Sequence, residues 1–311
     1  MPIAQLLDTL AIEPIVVLGI VLAALLYGVG LGYAVRHGLA PHHASWQTVA
    51  FYAGLLTMLL ALNGPLDQLA HQLFWAHMLQ HELLTLLVAP LLLLGAPLMP
   101  FWRVVPLGAR REMLRWAMAR VWPRRVGERV AHWLGQPRVS WVLFIAVFTV
   151  WHIPALYDLA LTNSSVHGAE HLSFLGAALL FWAQIVPSRP LRRRMRYLPQ
   201  LVYVAASAMA MNGLAALYMY STAPLYPYYA TLVRPAGTVS ALVDQHIAGA
   251  VMDVPGTVLF FVAVCALMAL WLRDDEHATD DPARPSSGRW SARPTSGAAS
   301  GAAAGAAGGD S

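Results

Sequence analysis

Two pairs of histidines carry the first chemical signal. His77 and His81, and again His167 and His171, stand four residues apart, so on a helix each pair presents both imidazoles on one face. Such a pair can serve one metal ion. His152, on another apolar stretch, adds a fifth ring. Measured at 1.5 Å per residue from the Arg-bearing ends of their stretches, His81 and His152 lie at about 21 Å, His171 at about 24 Å, His77 at about 27 Å and His167 at about 30 Å, so the five rings share one layer. A lone intramembrane His is ordinarily a hydrogen-bonded packing residue. Two pairs at one depth point instead to a metal, haem or proton site, because polar groups inside a span are costly and call for a partner or a function.

Several further groups fall near this layer. His71, one to two turns beyond His77, suits an entrance, and Asp244, His246 and Asp253 lie at the same rim. Glu82 follows His81 and Glu170 precedes His171, but neighbouring helix positions point about 100° apart, so both acids read as second-rank groups or partners to other helices. Asp253 precedes Pro255 and Gly256, which would kink a helix and aim the carboxylate inward, or leave it at the aqueous rim. Met209, Met211 and Met252 lie at comparable depth. Thioether with imidazole suits copper, Cu(I) above all, over Mg or Ca, although Met at helical spacing is usually packing. The residues after His81-Glu82 are Leu83, Leu84 and Thr85, so the metalloprotease H-E-x-x-H pattern is missing. The single cysteine, Cys265, excludes a disulfide framework and reads as a small core residue.

The elements that must position these residues are membrane spans. The 311 residues are 58% hydrophobic and only 12% charged, with mean hydropathy +0.55, about half the charged fraction of an ordinary soluble chain. Crossing a core of about 30 Å takes roughly 20 apolar residues. Seven stretches qualify: residues 14–35, 46–62, 73–94, 139–157, 166–186, 198–219 and 242–272. The expected fold is therefore all-α, a polytopic bundle of seven transmembrane helices. Every cationic residue is Arg. Arg103, Arg110, Arg111, Arg115, Arg120, Arg124, Arg125, Arg129 and Arg138 crowd the 95–138 connector, and Arg189, Arg192, Arg193, Arg194 and Arg196 the fifth, whereas the alternate connectors hold only Arg234. Cationic loops stay cytoplasmic, which places the N-terminus outside and the C-terminus inside. The basic balance is thus explained by topology and not by nucleic acid.

Outside the bundle lie residues 1–13, a short extracytoplasmic N-terminus, and a polar, then Pro/Ser/Gly/Ala-rich tail over 273–311 of disordered composition. Between residues 107 and 122, apolar positions alternate with Arg at helical spacing, which suits an interfacial helix on anionic lipid or a solvated connector helix. His37, His42, His43, His132 and His277 read as solvent or interface residues.

Four segments carry a family likeness: HMLQHELLTLLVAPLLLLGAPL from His77, WHIPALYDLAL from Trp151, VHGAEHLSFLGAALLFW from Val166 and DQHIAGAVMDVPGT from Asp244. In this order the chain resembles the seven-span CtaG family of cytochrome c oxidase assembly factors over roughly residues 18–272. The likeness includes His77, His81, His152, His167, His171 and Asp244. It implies a multi-pass protein of the bacterial plasma membrane, not an enzyme, that helps mature a haem-copper oxidase by handling copper through these His. The implied partners are oxidase subunits and the lipid bilayer. Asp253 departs from the pattern, since the family usually has an aromatic residue after the Met. The single-span factor that shares the name uses paired Cys, which this chain lacks. Two readings from other classes compete: a haem-carrying electron-transfer protein, with two His as axial ligands, and a metal or proton permease using Asp253.

Overall fold

A computed structural model describes residues 13–39, 43–119, 121–186, 188, 195–232 and 239–279. These are helical throughout, with no strand among them. Helix α1 spans Pro14–Arg36 and α2 Ser45–Leu62. A short α3, Pro65–Ala70, leads into α4, Phe74–Leu94. Three helices follow, α5 Leu98–Val104, α6 Leu107–Ala119 and α7 Val121–Leu134. Then come α8 Pro137–Trp151, α9 Pro154–Thr162, α10 Ser164–Trp182, α11 Tyr197–Tyr220, α12 Pro227–Thr231 and α13 Ala241–Thr279.

Sequence chemistry sets many of these limits. Proline opens α1, α3, α8, α9 and α12, where its missing N–H is no loss. The Asn163 side chain caps α10 by accepting from the backbone N–H of Ser165 and Val166 at 3.0 and 3.2 Å. After α1, Gly38 turns the chain at φ +64, a conformation that costs glycine little.

Among the described residues, five helices are long and apolar enough to cross a membrane: α1, α2, α4, α11 and residues Ala241–Glu276 of α13. A sixth is reached if Val126–Leu134 and Pro137–Trp151, bent by 72°, count as one span. Two of the seven expected stretches therefore take a different form. The stretch 139–157 is broken: α8 stops at Trp151 and the chain re-enters a helix at Pro154, because proline disfavours helical backbone before it. At 15 residues, α8 is only about 22 Å long. The stretch 166–186 forms the 19-residue α10, whose apolar run is interrupted by His167, Glu170 and His171.

The surface is that of a helix bundle in lipid. Helix α1 exposes Ile15, Leu18, Leu22, Leu25 and Val29, α10 exposes Leu172, and α13 exposes Val258, Phe261 and Val262. The interior holds His77, Gln80, His81, Glu82, Glu170 and Asp244. Polar groups inside and apolar groups outside invert the usual soluble arrangement. Helix α4 lies at the centre, packed on α2, α3 and α10, and is interrupted by a π-helical stretch, Leu83–Val88. Helix α1 instead packs on α5. A Cβ on Gly30 would meet the Pro100 carbonyl at 2.0 Å, so only glycine permits that approach.

Residues 1–268 form one compact unit and 269–311 a second. Within the latter, helix continues through Arg273 to Thr279, where the sequence alone suggests a polar tail; the rest of the tail, residues 280–311, lies outside the described residues, as do residues 1–12, His42, Arg120, Arg189, Arg192, Arg193, Arg194 and Arg234. Cys265 is exposed, which corrects its expected place in the core: the outward face of a lipid-facing helix suits a small weakly polar side chain equally well. The expected helix from residue 107 is α6, with Leu107 and Met113 exposed.

Candidate metal centre

Helix α4 is anchored from a distance. Its N-cap, Leu73, has no capping side chain. The carboxylate of Asp244 on α13 takes that role, accepting from the backbone N–H of Phe74 at 3.0 Å and Trp75 at 3.1 Å. A carboxylate at a helix N-terminus also meets the positive end of the helix dipole. One turn on, the Gln80 amide donates to Ala61 O at 2.8 Å and to Asp67 Oδ1 at 3.0 Å, tying α4 to α2 and α3. Asp244, expected at the entrance, thus fixes the helix that carries His77 and His81.

Helices α4 and α10 bring the two histidine pairs face to face. His77 and His81 are buried, with Nε2 atoms 3.0 Å apart. Ring centroids separate His77 from His167 by 5.2 Å and from His171 by 6.0 Å, and His81 from His171 by 5.5 Å. Glu170, fully buried, places Oε2 at 3.7 Å from His77 Nε2 and Oε1 at 3.5 Å from His81 Nε2. Among the described residues, two trios have donor atoms all within 4.8 Å of one another: His77, His167 and His171, and His77, His81 and Glu170.

The spare hydrogen-bonding capacity here is unusual. His81 Nδ1, His167 Nε2, His171 Nε2 and both Glu170 oxygens are buried without a hydrogen-bond partner. Leaving a buried polar group unsatisfied costs about 1–3 kcal/mol, and native interiors hold few of them. Convergent, unsatisfied nitrogen and oxygen donors fit a borderline or soft transition metal ion.

Other expected site residues fall at graded distances. His152 caps the end of α8, its ring 6.1 Å from that of His81. Its Nδ1 bonds the Phe148 carbonyl while Nε2 is unpartnered, and it belongs to neither trio. His71 is exposed, with its ring 5.5 Å from that of His167. Both line a cavity of about 380 Å³ together with Glu13, Asp67, Ser164 and His171. Glu82 points elsewhere: it is buried with Oε2 unpartnered, 3.8 Å from where a Cβ on Gly256 would sit. His246 Nε2 bonds the Ser221 carbonyl at 2.9 Å. Asp253 is half-buried. Met211 and Met252 are packed in the apolar core, whereas Met209 is 77% exposed.

Sequence reasoning missed a wall of tyrosines. Tyr229 donates to Ala70 O at 2.7 Å and approaches His77 Nδ1 at 3.4 Å. Tyr226 donates to His152 O at 2.9 Å and bonds Tyr218. Tyr157 lies 5.0 Å from the His77 ring. The available signal was the run of tyrosines from Tyr218 to Tyr229 in and beside an otherwise plain connector.

A chain whose described residues are all helical, with five or six membrane-length apolar spans and a histidine and carboxylate cluster buried between α4 and α10, defines a polytopic membrane protein with an internal polar site. More particularly, it belongs to the cytochrome c oxidase caa3 assembly factor family (Caa3_CtaG), whose model matches residues 25–274. Uncharacterized proteins of Mycobacterium bovis and Mycobacterium tuberculosis are each 25% identical over 285 residues, 88% of this chain and 41% of theirs. One from Mycobacterium leprae is 24% identical over 237 residues, 74% of this chain and 34% of its own. The chain thus spans less than half the length of these relatives. No solved structure matches it.

Proposed function

We propose that the chain is a copper-handling assembly factor for a haem-copper oxidase. It takes Cu(I) as cargo through His77, His81, His167 and His171, and passes it to an oxidase subunit by ligand exchange, without catalysis. One observation carries this reading: unpartnered imidazole nitrogens and a carboxylate converge in a buried site beside a cavity. Neutral imidazoles bind a monovalent ion without needing a charged cage. Asp244 and Gln80 hold α4 in place, so the pair of rings on it needs little reorganisation when the ion arrives. In this reading the bundle has seven spans in a bacterial plasma membrane, α8 with α9 and α10 completing the count. The Arg-rich connector faces the cytoplasm and the His layer lies toward the outside.

The purified protein in nanodiscs, loaded with Cu(I) against a chromogenic chelator, is expected to retain copper, and to lose it in the His77→Ala, His81→Ala double variant. Retention of copper by that variant counts against the site. A Soret band in the purified protein would favour the haem carrier instead. A deletion strain is expected to lose oxidase activity and regain it with added copper.

A further inference from the structure

We infer that the cluster contains two overlapping cation positions that one ion occupies in alternation, with the His77 imidazole common to both. This inference rests on the metal reading above. The cavity-side position is His77, His167 and His171; the inner one is His77, His81 and Glu170. His167 and His171 are half-buried and line the cavity. His81 and Glu170 are buried and stand behind them.

Three features support alternation. His77 Nε2 is only 3.0 Å from His81 Nε2 and 3.7 Å from Glu170 Oε2, and the same residue's ring stands 5.2 Å from that of His167. An ion that engages His77 on one side therefore removes a ligand from the other position, and two cations so close would also repel. Second, the donor sets differ in charge. Three imidazoles carry none, whereas the inner set includes the carboxylate of Glu170, whose ion-pair contacts among the described residues are the same two imidazoles. A buried carboxylate without a fixed cation is costly, and a divalent ion compensates it better than a monovalent one. Third, ligand chemistry is compatible with the same division: two imidazoles with a carboxylate are an established Zn(II) set, and three neutral imidazoles, which accept several transition metals, bring no charge that favours a divalent over a monovalent ion. A monovalent ion is held on the cavity side, where it can leave; a divalent ion is drawn inward.

The test uses full-length protein in nanodiscs with Ag(I), a redox-inert stand-in for Cu(I), and Co(II), whose visible bands report its ligands. Each ion is expected to bind at one equivalent and to displace the other. Glu170→Gln, which keeps shape, is expected to weaken Co(II) by on the order of tenfold or more and shift its bands, leaving Ag(I) within a few-fold. His171→Gln is expected to do the reverse, and His77→Gln to weaken both. Helicity and elution volume check that each variant is folded. Simultaneous binding of one Ag(I) and one Co(II), or equal losses of both ions in Glu170→Gln and in His171→Gln, overturns alternation while leaving the metal site intact. Binding of neither ion by the wild-type protein overturns the metal reading itself, and alternation with it.

Discussion

Two histidine sites among the described residues, half-buried His43 and the buried cluster around His77, are built in opposite ways. Between α1 and α2, His43 uses its Nε2 against the Tyr27 hydroxyl at 3.0 Å and Thr48 at 3.1 Å. Tyr27 in turn donates to Gly95 O at 2.9 Å and stacks on Phe51 at 3.9 Å. Between α4 and α10, by contrast, ring nitrogens and carboxylate oxygens converge and several bond nothing. A histidine that only holds helices together consumes its polar atoms locally. Those of the cluster leave several polar atoms unpartnered, and the fold bears the cost.

That contrast can be broken or sharpened experimentally. The largest effect is expected for His77→Ala with His81→Ala, which should abolish metal binding, while His43→Ala leaves stoichiometry unchanged; equal losses would erase the distinction. Asp244→Ala removes the acceptor of one buried and one half-buried N–H group and is expected to cost about 1–3 kcal/mol, read as a lower Tm together with weaker metal affinity. Asp244→Asn should recover part of both. His43→Ala is expected to cost about 1 kcal/mol, visible in Tm alone. The smallest effect concerns pH. Burial first, and the nearby Arg103 guanidinium second, hold the His43 pKa below its usual 6.5. The folded state then binds fewer protons than the unfolded one below that value, so this contribution to stability is full above pH 6.5 and declines as pH falls toward the folded value. A wild-type Tm that drops more between pH 7.5 and 5 than that of His43→Ala would show it.

Much of this site was legible in the sequence. The i, i+4 pairs alone place four imidazoles on two helical faces, and the structure brings those faces together. The two acids show where spacing rules run short. Both sit one position from a histidine. Glu170 is also i+3 from His167, which keeps it on the shared face, whereas Glu82 is five from His77 and turns toward Gly256. The role of Asp244 was hidden because it caps a helix 170 residues away, a relation no local pattern encodes. The fourth expected stretch is interrupted for a readable reason: apolarity continues past Trp151 to Tyr157, but Pro154 disfavours one unbroken helix across it. His43, expected at a solvent or interface position, is half-buried, and its bond to Tyr27 is set by tertiary packing.

The π-helical stretch Leu83–Val88 has a consequence for how such a site could have arisen. A short π segment is, in effect, a residue inserted into an α-helix. Before it α4 carries the histidine pair; after it come Pro90 and Leu93, buried on the far half of the helix. In a regular helix one extra residue would turn one half relative to the other by about 100°; the wider π turn absorbs it, so each half keeps its own preferred face. The helix behaves as two spliced registers. A single-residue deletion within Leu83–Val88 is expected to restore a continuous α-helix with both faces kept, whereas a deletion before it, in Phe74–Glu82, would turn residues on its N-terminal side by about 100°.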